Sequence, residues 1–221
     1  MDILFVRHGE SQNNFEGRLQ GQNDSPLTEK GRAQAATLAG WLVERGFRWS
    51  AAYTSPLSRA RETAEILAAE TGYSPPVVDD DLAEVSVGLL EAMTRDEIGQ
   101  RHPTFLSRGI TDLGDFSEFG GESYDNVQAR TRRFLARLET AHRQGADQVL
   151  VVAHGGINFQ IVKAAICLPV PRVCILQWGN CTASLLRFRE RRGVYMAEVA
   201  WHVPLELIGG GQGSGTTAVF R

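Results

Sequence analysis

Two kinds of polarity pattern alternate along the chain. Short unbroken apolar runs come first, and segments with apolar residues every three or four positions come between them. Ile3-Leu4-Phe5-Val6 and Val149-Leu150-Val151-Val152-Ala153 are runs of the first kind. With no polar alternation, they predict strands buried on both faces of a parallel sheet. Each stops abruptly at a His-Gly pair, in Arg7-His8-Gly9-Glu10 and in His154-Gly155-Gly156. Trp49 to Thr54 predicts another strand, and Pro76-Val77-Val78 a short one leading to Leu82-Ala83-Glu84, with Glu84 at its end. Ala183 to Phe188 and Val194 to Trp201 predict a hairpin around Arg191-Arg192-Gly193.

The helical segments carry their own punctuation. Thr28 is an N-cap before the stripe Ala35, Leu38, Ala39 and Leu42, which Gly46 ends. Ser55-Pro56 predicts a helix with serine at the N-cap and proline in the first turn, so Arg59 and Arg61 fall near its start; it stops at Thr71-Gly72. Thr94-Arg95-Asp96-Glu97 is a capping box for a short helix that ends before Pro103. A longer helix begins near Ser123, with Val127, Thr131, Phe134, Leu138 and Ala141 on one face. The last runs from about Gly156 to Cys167 and is broken by Pro169 and Pro171.

Two stretches have no period. Ser11 to Pro26 is a polar loop, long enough to suggest a functional role. Pro103 to Gly121 scatters Phe105, Leu106, Ile110, Leu113, Phe116 and Phe119, and we read it as part of a lid over residues 85–122. Gly209 to Gly215 resembles a phosphate cradle but lacks the following Lys-Ser/Thr and helix, so 209–221 is read as a flexible tail. No internal repeat is visible, and residues 1–208 are expected to form a single domain.

Composition narrows the classes. Hydrophobic residues at 43% and charged residues at 22% are ordinary for a globular protein. A net charge of −3 argues against nucleic acid as a partner. No apolar run approaches the ~18 residues of a membrane-spanning helix. The first residues lack the charged and long apolar regions of a secretory signal. Cys167, Cys174 and Cys181 form no CxxC pair and are expected to be small buried hydrophobes in a reducing cytoplasm.

Strands of a parallel sheet present functional groups at their carboxyl ends. Arg7 and Arg59 can both reach such an edge, and arginine forks with helix N-termini suit phosphate. Asn14, Gln20 and Gly21 lie in the loop that must pass over it. A neutral His8 imidazole can attack phosphorus and form a phosphoryl-enzyme, provided its other nitrogen is pinned by an acceptor. His154 would offset charge on the phosphoryl oxygens. Glu84 is the candidate acid for the leaving oxygen and base for water.

Leu4-Phe5-Val6-Arg7-His8-Gly9-Glu10-Ser11 and Asp24-Ser25-Pro26-Leu27-Thr28-Glu29-Lys30-Gly31 resemble the opening of the histidine phosphatase superfamily, in its phosphoglycerate mutase-like branch. Ser55-Pro56-Leu57-Ser58-Arg59-Ala60-Arg61-Glu62-Thr63-Ala64 is similar to its second motif. Gly121-Glu122-Ser123 and Val152-Ala153-His154-Gly155-Gly156 match later landmarks. The resemblance implies a three-layer α/β sandwich, a mostly parallel sheet with helices on both faces, with neither metal nor cofactor. It implies His8 as nucleophile, Glu84 as proton donor, and Arg7, Arg59 and His154 as the phosphate pocket. Asn14, the Gln20-Gly21 backbone and Gly155 would add contacts. Where many phosphatase-type members carry Trp-Glu-Gly after the acid, this chain has Leu90-Glu91-Ala92.

The function expected is therefore hydrolysis of a small phosphate ester in the cytoplasm, with neither nucleic acid nor membrane as partner and a homodimer left open. Family mutases carry a longer, basic insert after the acid. Residues 85–125 here set Arg95, Arg101 and Arg108 against Glu91, Asp96, Glu97, Asp112, Asp115, Glu118, Glu122 and Asp125. That balance disfavours a bisphosphate and favours hydrolysis over phosphoglycerate mutase chemistry. A metal-dependent hydrolase using His8, His154 and Glu84 is disfavoured by two adjacent arginines. A catalytically inactive binding module is the remaining alternative.

Overall fold

The computed structural model describes residues 1–73, 76–106, 114–166, 178–191 and 194–208. Its centre is a six-stranded mixed sheet. Strand β1 (Asp2–Arg7) pairs in parallel with β4 (Gln148–Ala153), placing Ile3 opposite Val149, Phe5 opposite Val151 and Arg7 opposite Ala153. On the far side of β4 lies β2 (Ala51–Thr54), also parallel, and then the two-residue β3 (Val77–Val78) at the edge. Antiparallel to β1 runs β5 (Ala183–Arg191), followed by β6 (Val194–Val203), giving the order β3-β2-β4-β1-β5-β6.

Alternate residues of the central strands feed two cores, because successive side chains of a strand point to opposite faces. Ile3, Phe5, Val149 and Val151 pack with Val127 and Phe134 of α6 (Tyr124–Arg143) and with Ile157 and Ile161 of α7 (Gly155–Ala165). Leu4, Val6, Leu150 and Val152 pack with Ala35, Leu38 and Leu42 of α2 (Glu29–Glu44) and with Ala64 and Leu67 of α3 (Ser58–Thr71). Residues 3–6 of β1 and 149–153 of β4 are buried on both faces, which is why these strands read as unbroken apolar runs. The architecture is the expected three-layer α/β sandwich. A third, smaller cluster joins Val87, Leu90, Ile98 and Phe119, with Phe105 and Phe116 against it. This gives the aromatic residues of the aperiodic stretch a common packing site. It includes α4 (Arg95–Arg101) and borders the one-turn α5 (Pro103–Leu106).

Three local expectations need correction. The polar loop contains a one-turn helix, α1 (Gln12–Phe15), closed by a reciprocal capping box between Ser11 and Asn14. No apolar period marks it, since none of its residues is buried. Ser55 does not cap α3. That helix begins at Ser58, and its N-cap Leu57 makes no side-chain bond. The cap comes instead from Asp24, whose Oδ1 accepts from Ser58 N at 3.0 Å and Ser58 Oγ at 2.7 Å. Finally, Glu84 does not end a strand. β3 stops at Val78, and a 3-10 turn over Asp80–Leu82 intervenes.

The other boundaries follow the sequence closely. Thr28, Thr94 and Ser123 cap α2, α4 and α6 through their hydroxyls, and Gly72 ends α3 in the left-handed conformation. Buried Cys181 fits the expectation for the cysteines. Ile110, Leu113, Cys167, Pro169, Pro171, Cys174, the hairpin turn at 192–193 and the Gly-rich tail lie outside the described residues. Among the described residues, no helix is long and apolar enough to cross a membrane.

Candidate active site

The parallel register of β1 and β4 carries the two His-Gly pairs to the same place. His8 N donates to Ala153 O at 3.0 Å, and the imidazoles of His8 and His154 meet at an angle of 60° with centroids 5.0 Å apart. Both rings are buried. His8 Nδ1 faces Gly9 O at 2.7 Å. A carbonyl accepts only, so Nδ1 carries the hydrogen and the neutral ring leaves Nε2 with its lone pair. The turn after His8 is tight because a Cβ on Gly9 would meet Gly31 O at 2.4 Å. This contact links the Arg-His-Gly motif to the Thr-Glu-Lys-Gly start of α2.

His154 Nε2 lies 2.7 Å from Ser55 Oγ, which also accepts from Leu57 N at 3.2 Å. The serine hydrogen is free to serve the imidazole, and when it does His154 Nδ1 is the N–H donor. That Nδ1 is buried without a protein partner, as are Nε of Arg7 and of Arg59. Three buried donors at one sheet edge without protein acceptors fit an anion.

Arg59, in the first turn of α3, is fully buried and spans the entrance loop, donating to Asn23 O at 2.9 Å and Gly21 O at 2.8 Å. Arg7 Nη1 donates to Trp178 O. Burial is the largest effect on both guanidiniums and lowers both pKa values, that of Arg59 to about 10; the charge of Glu84 is the main opposing influence on each. Burial first, then the charges of Arg7 and Arg59, holds His8 well below an imidazole's usual 6.5. Burial, then Arg59, His8 and Arg7, does the same to His154. Both rings are thus neutral, as a nitrogen nucleophile requires.

Glu84 reaches this edge from another part of the chain. Its carboxylate accepts from Gly156 N at 3.0 Å and Ile157 N at 2.9 Å in the first turn of α7, and from Val85 N at 2.9 Å. The His-Gly-Gly motif and the residue after it therefore place an imidazole and the carboxylate's anchor in four consecutive residues. Among the described residues, no three His, Cys, Asp or Glu side chains gather as metal ligands.

The loop residues contribute unequally. Asn14 Oδ1 accepts from Ser11 N at 3.3 Å and from Asn180 Nδ2 at 3.0 Å, so its own NH₂ is left to face elsewhere. Gln20 Oε1 accepts from Ser11 Oγ at 2.8 Å, so its side chain supports the loop. Gly21 adopts a φ of +53° and turns its carbonyl to Arg59. Gly155 opens α7 beside Trp178 and the Arg7 side chain. Sequence reasoning missed Asn180, which also donates to His8 O at 3.2 Å. It missed the role of Ser55 too, although Ser55 stands inside a recognised motif.

Comparison with known proteins bears on the family and the fold. The profile of the histidine phosphatase superfamily (branch 1) matches residues 3–199. A protein of Arabidopsis thaliana named metal-independent phosphoserine phosphatase is 36% identical over 158 residues, a match covering 71% of this chain but only 65% of that relative. An Escherichia coli protein named as a probable phosphoglycerate mutase is 33% identical over 192 residues, 86% of each chain. A solved mycobacterial glucosyl-3-phosphoglycerate phosphatase, in complex with VO3, superposes with a TM-score of 0.76 at 30% identity, covering 90% of this chain and 97% of its own.

Proposed function

The chain belongs to the histidine phosphatase superfamily, and on that premise we propose that it is a metal-independent phosphomonoesterase acting through a phosphohistidine at His8. Its substrate is a small phosphorylated metabolite. Arg7, Arg59, the His154 Nδ1–H and the Asn14 amide hold the phosphoryl oxygens, with backbone around Gln20-Gly21 and at Gly155 closing the pocket. His8 Nε2 attacks phosphorus as the P–O bond to the leaving group breaks, and the Glu84 carboxyl delivers its proton to that oxygen. Water then attacks the phosphoramidate, Glu84 takes its proton, and the N–P bond breaks to release phosphate and restore the imidazole.

One observation carries this reading: the His8 Nδ1 contact with Gly9 O at 2.7 Å, which leaves Nε2 unprotonated near buried Arg59 and half-buried Arg7. The experiment is rapid quench with ³²P-labelled substrate. An acid-labile, base-stable label on wild-type protein, absent from His8→Ala, is the expected result. Steady turnover by His8→Ala would overturn it. No turnover of any phosphomonoester would instead point to a binding module on this fold. The relatives named for phosphoserine and glucosyl-3-phosphoglycerate suggest starting a substrate screen with phosphate esters that also bear a carboxylate.

A mutase is favoured by one finding, the Escherichia coli relative matched over 86% of both chains. The acidity of the 85–125 stretch also speaks less strongly for hydrolysis than its composition suggests. Glu97 is paired to Arg18 and Glu122 to Arg130, while Asp115 accepts from Ser117 and Tyr124 N–H groups. Phosphorus NMR with a phosphoglycerate separates the two, since hydrolysis yields inorganic phosphate and mutase action yields the isomeric ester.

A further inference from the structure

Glu84 sits in a segment with little regular structure of its own, yet its neighbours' backbone groups converge on one ion pair. Arg130, on α6, is only 6% exposed. Its Nη1 donates to Asp81 O at 2.8 Å and Ala83 O at 2.6 Å. Its Nε and Nη2 grip Glu122 as a fork, at 2.8 Å to Oε1 and 2.9 Å to Oε2. Glu122 Oε2 in turn accepts from Ser86 N at 2.9 Å, and Glu122 N donates to Ser86 O at 2.9 Å. Polar groups of residues 81, 83 and 86 thus end on Arg130 and Glu122, and these residues bracket Glu84 on both sides.

We propose that Arg130 and Glu122 act as a positioning pair that fixes the Glu84 carboxylate at the phosphate pocket. This rests on the assignment of Glu84 as the acid. The 3-10 turn before Glu84 supplies only one turn of backbone bonding. A segment with so few internal bonds opens readily unless tied from outside. Arg133 and Arg137 of the same helix secure its start, through Asp81 and Asp79. Of these three arginines it is Arg130 that reaches Ala83 O, the carbonyl next to Glu84, whose own carbonyl accepts from Gln22 Nε2 at 3.0 Å. Two carbonyls and a carboxylate on one planar group need the guanidinium geometry, which a lysine ammonium cannot reproduce.

The test compares kcat/KM for a simple alkyl phosphate and for 2,4-dinitrophenyl phosphate, whose leaving group needs no proton. Arg130→Lys, Glu122→Gln and Glu84→Gln are measured beside wild type, with circular dichroism as the check on folding. Arg130→Lys and Glu122→Gln are expected to lose at least about tenfold more on the alkyl ester than on the aryl ester, part of the ~10²–10⁴ that acid catalysis contributes. Glu84→Gln should discriminate in the same direction and more strongly. If Glu84→Gln discriminates while both others lose equally on the two esters, the positioning role is overturned and the acid assignment stands. If Glu84→Gln itself does not discriminate, the acid assignment falls and takes the positioning role with it. A merely structural pair would lower stability without changing the ratio.

Discussion

Ser55 Oγ stands 2.7 Å from His154 Nε2, a side-chain hydrogen bond between the residue that follows β2 and the residue that follows β4. The serine accepts from Leu57 N and has one hydrogen to give, and when it gives that hydrogen to Nε2 the other ring nitrogen is the donor. Ser55→Ala removes that constraint and leaves a buried nitrogen unpaired, at a cost of about 1–3 kcal/mol. We expect kcat/KM to fall by roughly 5- to 150-fold, the same range expressed as a rate ratio. Ser55→Thr, which keeps a hydroxyl, should recover part of the loss. Unchanged steady-state kinetics in Ser55→Ala would remove the serine from the site.

Ala92 adopts a φ of +61°, the region that glycine occupies without cost. It closes the Leu90-Glu91-Ala92 stretch, set above against Trp-Glu-Gly as part of the resemblance, and its backbone takes a conformation that suits glycine. Its N–H donates to Leu19 O at 2.7 Å and its carbonyl accepts from Arg18 Nη1 at 2.8 Å, so the turn is held from both sides. Ala92→Gly should raise stability by about 1 kcal/mol, because a left-handed L-residue costs roughly 1–2 kcal/mol and glycine returns part of that as chain entropy. The matching rise in melting temperature is about 2–4 °C. An unchanged or lower midpoint would show that the turn relaxes around the alanine.

What the sequence made legible follows from how each feature is encoded. β1 and β4 are buried on both faces, so burial wrote them as apolar runs, and their shared register brings His8 beside His154. Thr28, Thr94 and Ser123 use local caps and are visible within four residues. Asp24 caps α3 from 34 residues away, so the nearby Ser55-Pro56 signal misplaced the helix start. Glu84 has no signature of its own in the sequence, because its carboxylate is held by the first turn of α7, 72 residues away. Asn180 has no neighbouring pattern at all. Its contacts with Asn14 and His8 come only from β5 lying against β1.

Acid should unfold the protein through its two histidines. Burial and the flanking arginines depress both imidazole pKa values in the folded state below the usual 6.5. Below that value the unfolded chain therefore binds protons that the folded chain refuses, and the sign of the linkage makes stability fall as pH falls. Full stability belongs above about pH 6.5 and is lost progressively below it. Urea melts between pH 8 and 5 test this, and His8→Asn should flatten the dependence. Bound phosphate or vanadate should also flatten it, since an anion lets both rings accept a proton more easily. A slope identical in wild type and His8→Asn would mean that other groups govern the acid limb.

Arg59 should matter to both binding and loop order. Its guanidinium holds Gly21 and Asn23 carbonyls while offering charge to the pocket. Removing one member of such a buried charged contact costs about 2–5 kcal/mol. Arg59→Ala is expected to lose kcat/KM on that scale and to weaken inhibition by phosphate, measured as Ki. Arg59→Lys should restore charge but not the fork, and recover only a fraction. An Arg59→Ala enzyme with wild-type Ki for phosphate would contradict the assignment.

The two glycines after His154 look alike in sequence but should behave differently. A Cβ on Gly155 would meet Trp178 Cβ at 3.4 Å, an ordinary contact, whereas a Cβ on Gly156 would meet Glu84 Oε1 at 2.7 Å. The clash partner at Gly156 is the tip of a side chain, so the fold can yield by moving the carboxylate, and alanine within a helix offsets part of the strain by its better propensity. Gly156→Ala is therefore expected to fold normally and yet to displace Glu84 from the N–H groups of Gly156 and Ile157. Its kcat/KM should fall by about 10²-fold or more on alkyl phosphates, the scale of a lost general acid, and much less on 2,4-dinitrophenyl phosphate. Gly155→Ala, which keeps the backbone N–H and meets Trp178 and Arg7 at 3.4 and 3.8 Å, should stay within a few-fold of wild type on both. Equal behaviour of the two variants would mean that the carboxylate at residue 84 can act from another position, and its contact with the first turn of α7 would lose its mechanistic meaning.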